Sequence, residues 1–175
     1  MTVGTKSVLF GAHAFWLHPF VLALAWWRLF GFPWDPRLWF AFFLHDVGYL
    51  GKKDIDGDDG VTHPELGASI MTKLFGEEWG MFCLCHSRTY ARRNNHALSK
   101  LAAADKYAWA IEPWWVYIPK ATLSGEINEY MERSKRTGFV SENATKRDWY
   151  DQLQKKGKRV AQEIIDGKPV GEAYT

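Results

Sequence analysis

Four side chains could do chemistry together: the adjacent pair His45 and Asp46, with His86 and Asp105. Three of them share a helical stripe with apolar residues. His45 lies on a face with Leu38, Ala41 and Phe42, and His86 on one with Trp79, Phe82 and Cys83. Asp105 joins Leu98, Leu101, Ala102 and Trp109. At helical periodicity each polar residue therefore points into the core that its stripe packs against. A lone inward histidine is ordinarily a satisfied core residue. An inward carboxylate is harder to accommodate, because an ionised Asp buried without a partner is strongly destabilising or becomes neutral. A divalent cation resolves that conflict, since it accepts imidazole and carboxylate as ligands together. The spacing predicts a metal site.

The order His18, His45-Asp46, His63, His86 and Asp105 resembles the H…HD…H…H…D pattern of the HD-domain metalloproteins. The string FFLHDVGY is similar to the buried helix end that carries the HD pair. THPELGASIM resembles the His-Pro-x-x-Gly helix start of HD-GYP phosphodiesterases, and CHSR…LSKLAAADKYA the His-to-Asp stretch of bacterial HD-class dinucleoside tetraphosphate hydrolases. The likeness runs from about Phe15 to Ile111.

This resemblance implies an all-α, HD-type helical bundle and a role for each residue. His45 and Asp46 would be the central ligands, with Asp46 able to bridge two ions. Asp105 and an N-terminal histidine would complete the first ion's set, while His63 and His86 would serve a second. The N-terminal ligand is expected to be His18, with His13 as the alternative; five residues apart on a helix, the two point about 140° from each other. One or two divalent ions are expected, iron or manganese ahead of zinc, nickel, cobalt and magnesium. Many HD phosphohydrolases carry Lys three residues after the motif Asp, where this chain has Tyr49. A phosphate contact is then expected from Arg88, two residues beyond His86, with Lys52 and Tyr49 as further substrate-binding candidates. Lys53 and Arg92 read as solvated charges. The implied catalytic set is Asp46, His45 and Arg88.

The activity so implied is hydrolysis of a phosphate ester or anhydride, with a nucleotide or related phosphoester as the small-molecule partner. The same ligand set also serves HD proteins that hold a mixed-valence di-iron centre and act as oxygenases. A third expectation is a non-catalytic ligand-binding domain stabilised by its metal.

The elements that must position these residues read as helices throughout. Asp35-Pro36 is an N-cap followed by Pro at the first helical position, opening an apolar helix that ends at His45-Asp46. That helix is apolar nearly all round, which predicts burial. Gly51 to Val61 is a Gly- and Asp-rich loop, and Thr62 with Glu65 resembles a capping box for a helix running to about Gly76. Further helices are expected over Glu78–Arg88 and Ala97–Ile111, the latter stopped by Pro113, with polar ones near Ser124–Arg136 and Ala144–Ile165. The division expected is a metal-binding core over 8–119 and a helical extension over 120–175 that packs on the same domain.

A chain of 175 residues with 47% apolar and 24% charged residues forms one domain with a substantial core. A net charge of +2 argues against a nucleic-acid or membrane-surface protein. Two cysteines, Cys83 and Cys85, make no disulfide framework, so a cytoplasmic setting and buried thiols are expected. The apolar run from Val8 to Phe32 contains His13, His18, Pro19 and Arg28, which favours a buried core helix over a membrane span. A homo-oligomer is compatible with the charged C-terminal helices. Asp54-x-Asp56-x-Asp58 with Glu65 imitates a calcium loop, but Asp59 stands where the turn needs Gly, so an acidic lid-like loop is expected. Trp114-Trp115-Val116-Tyr117 reads as core packing, and Lys155, Lys156 and Lys158 as the wet face of the last helix.

Overall fold

A computed structural model of the chain describes residues 1–55 and 57–168. Among them there is no strand; ten α-helices are joined by turns and, between residues 44 and 64, by a longer connection that holds two 3-10 helices, Val47–Tyr49 and Gly60–Thr62. They are α1 (Val3–Phe10), α2 (His18–Phe30), α3 (Pro36–Leu44), α4 (Pro64–Phe75), α5 (Glu77–Leu84) and α6 (Arg88–Arg93). The C-terminal part holds α7 (Lys100–Ile111), α8 (Trp114–Ser124), α9 (Glu126–Arg136) and α10 (Lys146–Ile165). No helix among the described residues is long and apolar enough to cross a membrane.

Two apolar cores flank the long helix α7. The first joins Leu22 and Trp26 of α2, Leu38 and Phe42 of α3, Met71 of α4, Cys83 of α5 and Leu101 of α7. The second joins Tyr117 and Ala121 of α8, Ile127 of α9, and Trp149, Tyr150 and Leu153 of α10. The hydroxyl of Tyr150 lies 2.9 Å from the carbonyls of both Trp109 and Glu112, tying α10 to the end of α7. Closeness there depends on Gly157, because a Cβ at that position would stand 2.5 Å from the Lys106 carbonyl. Asp105 lies on α7 immediately before Lys106, between Leu101 of the first core and the α10 attachments.

Several local expectations are corrected. The N-terminal apolar run is two helices, and α2 turns Phe20, Leu24 and Trp27 outward. Helix α3 is not buried all round: Phe40 and Phe43 are exposed and Phe43 packs edge-on against Phe20. Trp114 to Ser124 is a helix that continues through Pro119. The backbone bond forgone there is to the carbonyl of Trp115, in the exposed first turn. Trp114 and Trp115 are exposed, and only Tyr117 of that run is core, stacked on Tyr150.

The capping box at Thr62 does not form. Thr62 Oγ1 accepts from Lys52 Nζ at 2.6 Å and donates to the Asp59 carbonyl, and α4 begins after His63 without a side-chain cap. The acidic loop is anchored by its own turns. Asp54 Oδ1 accepts the Gly57 and Gly60 N–H groups, Asp59 accepts that of Lys53, and Ile55 is buried with its N–H donated to Glu129. Asp56 lies outside the described residues. The helix expected over Glu78–Arg88 is interrupted, and the cause is a site residue, as described next.

Candidate metal centre

His18, His45, Asp46, His63, His86 and Asp105 are all buried and converge on one point of the fold. Three of the histidines are held by the same local device. His45 Nδ1 lies 3.1 Å from the Phe42 carbonyl, His63 Nδ1 2.8 Å from that of Gly60, and His86 Nδ1 2.5 Å from that of Cys83. In each case the acceptor is three residues back. A carbonyl can only accept, so each Nδ1 carries the hydrogen, and the Nε2 of the neutral ring presents its lone pair inward. A main-chain acceptor on the far nitrogen is the arrangement that orients a metal-ligating imidazole. It also explains the break after α5. The His86 ring occupies the Cys83 carbonyl, the Ser87 N–H turns to Leu84, and Ser87 caps α6 through the Tyr90 N–H.

Gly48 is the residue that lets the turn after Asp46 approach α4. A Cβ there would lie 1.9 Å from the His63 carbonyl oxygen. The close approach brings His63 beside Tyr49, whose ring stacks on it at 4.1 Å and 9°.

Asp46 divides its two oxygens between two groups of ligands. Oδ2 lies 2.9 Å from His45 Nε2 and 3.7 Å from His18 Nε2. Oδ1 lies 3.4 Å from His86 Nε2 and 3.6 Å from His63 Nε2. Asp105 Oδ1 completes the first group, 3.3 Å from His18 Nε2 and 3.9 Å from His45 Nε2. The groups His18-His45-Asp46-Asp105 and Asp46-His63-His86 thus share one carboxylate.

The donor atoms fit divalent cations on two counts. Ligand bonds of about 2.0–2.2 Å place neighbouring donors roughly 2.9–3.5 Å apart around an octahedral or tetrahedral ion, near the spacings seen. In addition, His18 Nε2, His45 Nε2 and Asp105 Oδ1 are buried and make no hydrogen bond, although they crowd one another. Orphaned buried polar atoms are rare, and a cluster of them pointing at one spot is what an ion would satisfy.

The electrostatics agree with that reading. Burial opposes ionisation of both carboxyls, yet His45 and His13 hold Asp46 well below the usual carboxylate range, and Lys106 and His18 do the same for Asp105. Burial and the neighbouring His86 depress His63 to about 3, so it stays neutral. Burial opposes a charge on His45 too, but Asp46 outweighs it and raises its pKa.

His13, the alternative to His18, goes elsewhere. Its Nδ1 lies 2.7 Å from Ser7 Oγ, which donates to Glu126 Oε2 at 2.6 Å. Glu126 is fully buried at the start of α9 and also accepts from the Ala12 N–H, Ser124 Oγ and Tyr130 Oη. His13 packs against Tyr49 and lines the cavity beside the cluster. Glu126 escaped the reading because an acid in the first turn of a polar helix is normally a solvated partner of the helix dipole.

A cavity of about 250 Å³ opens from Asp46, His63, His86 and Asp105. Tyr49 and Arg88 line it; Lys52 is not among its lining residues, its ammonium being directed to Thr62 and Asp59. Lys53 and Arg92 are exposed. No protein-family model, curated protein or solved structure matches the chain. The functional reading therefore rests on the site itself.

Proposed function

We propose that this chain is a metal-dependent hydrolase of phosphate esters or anhydrides, with a nucleotide as its favoured substrate class. The observation that carries the reading is Asp46, a single buried carboxylate with one oxygen facing His18 and His45 and the other facing His63 and His86. Such a bridge suits two divalent ions, iron or manganese first among them. A pair of ions there supplies a nucleophile from water at neutral pH and offsets charge on the phosphoryl oxygens.

The chain's own residues provide the rest. Arg88, on the first turn after His86, lines the cavity wall and would bind a phosphoryl oxygen. His13, held by Ser7 and Glu126, lines the same wall. Tyr49 restrains the His63 ring by stacking, and Trp109, Tyr117 and Trp149 offer an apolar lining for the body of the substrate. The carbonyls of Phe42, Gly60 and Cys83 keep three imidazoles in the ligating tautomer.

The test is phosphate release by the metal-loaded chain from a broad panel of nucleotides and phosphoesters, with oxygen uptake followed in parallel. Release that is abolished by chelation and by Asp46→Asn supports the reading. A metal-replete protein that releases phosphate from nothing contradicts it, and substrate-dependent oxygen uptake would move the site to oxygenase chemistry.

A further inference from the structure

The cavity beside the His/Asp cluster takes part of its wall from α7, α9 and α10. Lys156 belongs to that wall. It is half-buried, with its ammonium 4.5 Å from the centre of the Phe139 ring, and is not on the wet face with Lys155 and Lys158. A different surface, made by α2, the turn after it and α3, is apolar and exposed, and its outward side chains do not line the cavity.

Helix α2 is apolar on two sides. Leu22, Ala23 and Trp26 pack into the first core, and Phe20, Leu24 and Trp27 form a second helical row that faces outward. The row is continuous across the turn and onto α3. Trp27 meets Phe32 at 5.7 Å between ring centres, Phe32 meets Trp34 at 4.5 Å, and Phe20 meets Phe43 at 5.7 Å. Phe40, one turn before Phe43, extends it, and Trp34 is 83% exposed. With roughly 200 Å² for a fully exposed aromatic side chain, these exposures amount to an apolar surface on the order of 700 Å². The largest apolar patch of a monomer is typically about 300–600 Å², whereas each side of a stable protein interface covers about 800 Å².

Charge selects the occupant. Between residues 15 and 43 the charged side chains are Arg28, Asp35 and Arg37, and Asp35 holds Arg37 at 2.6 Å. An anionic lipid surface calls for a cluster of Lys and Arg beside the apolar face, which is missing here. A face that meets its own copy must instead avoid like charges, and interface centres are rich in aromatic residues and poor in charged ones. Leu24 stands at the middle of α2, so antiparallel pairing of two α2 helices about it sets the two Arg28 side chains at opposite ends.

We propose that the aromatic face of α2 and α3 binds a second copy of this chain, giving a two-fold dimer whose cavities stay open. The charged helices α9 and α10 are then not the dimer contact. The dimer is independent of the chemistry at the cluster.

The test is the molar mass of the full-length chain at micromolar concentration, by light scattering and sedimentation equilibrium. The wild type is expected at twice the mass of one chain. Leu24→Glu with Trp27→Glu should give single chains that keep the wild-type helical spectrum. Trp34→Lys, at a side chain too exposed to hold the fold, should weaken the dimer at least tenfold on its own. Trp114→Glu with Trp115→Glu, at exposed aromatic residues of α8, should leave the dimer intact. A wild type at the mass of one chain would overturn the proposal, as would a dimer that survives both the double Glu variant of α2 and Trp34→Lys, or one lost only in the α8 variant. Single chains that sediment with phosphatidylglycerol vesicles would assign the face to lipid instead and equally overturn it.

Discussion

The Nε2 atoms of His63 and His86 face each other at 3.1 Å, and both rings have already given their Nδ1 hydrogen to a main-chain carbonyl. Two imidazole lone pairs cannot meet at that distance without a positive charge between them, either a proton or a metal ion. Across Asp46, the same choice arises at His45, whose pKa is raised by that carboxylate. Metal and proton therefore compete for the same nitrogens.

That competition sets the pH dependence of metal affinity. Asp46 raises the His45 pKa against the effect of burial, so a cation competes with a proton for that ring. Affinity for Mn²⁺ is expected to rise about tenfold per pH unit for each proton displaced, and to flatten once His45 is neutral. Competition against a chelator of known affinity between pH 6 and 9 measures this. Affinity independent of pH over that range would mean that no ligand nitrogen carries a proton in the metal-free state.

Gly48 is the tightest backbone contact at the site, with no room for a Cβ against the His63 carbonyl. Gly48→Ala should move the turn after Asp46 away from α4, at a stability loss of roughly 2 kcal/mol or more. It should also weaken the metals' hold on His63. Denaturant unfolding and metal content measure the two effects. Wild-type stability in this variant would contradict the close approach.

His13 offers a pH signature separate from the ligands. In the metal-free protein burial opposes its charge, but Asp46 and Glu126 raise its pKa from 6.5 to about 9. The folded state then binds a proton more tightly than the unfolded chain. Its contribution, on the order of 3 kcal/mol, is fully present below about pH 6.5 and is lost as pH rises through about 9. Histidine NMR titration of the metal-free protein should show one imidazolium persisting beyond pH 8, with a lowered midpoint in Glu126→Gln. A His13 midpoint near 6.5 in both proteins would show that the buried Glu126 does not act on it.

What could be read from the residues was the periodic part. Apolar stripes through Leu38–Phe42, Trp79–Cys83 and Leu98–Trp109 placed His45, His86 and Asp105 inward, because a stripe must face the core. His18 could not be separated from His13 on that basis, since both lie in apolar surroundings. Only the tertiary position of Glu126, far along the chain, draws His13 away. The break at Cys85–Ser87 was hidden because its cause, the His86 ring on the Cys83 carbonyl, is a side-chain event in a helix-compatible sequence. The role of Lys156 in the cavity wall was hidden because amphipathicity alone does not show which flank of a helix borders a cleft.

The most direct measurement is elemental analysis of the anaerobically purified chain beside Asp46→Ala, His63→Ala and Asp105→Ala. A carboxylate shared by two ligand groups predicts about two metal ions per wild-type chain, about one after loss of His63 or Asp105, and close to none after loss of Asp46. A wild-type chain that binds no divalent ion, and whose Tm does not rise when iron or manganese is added, would show that the buried His/Asp cluster is structural.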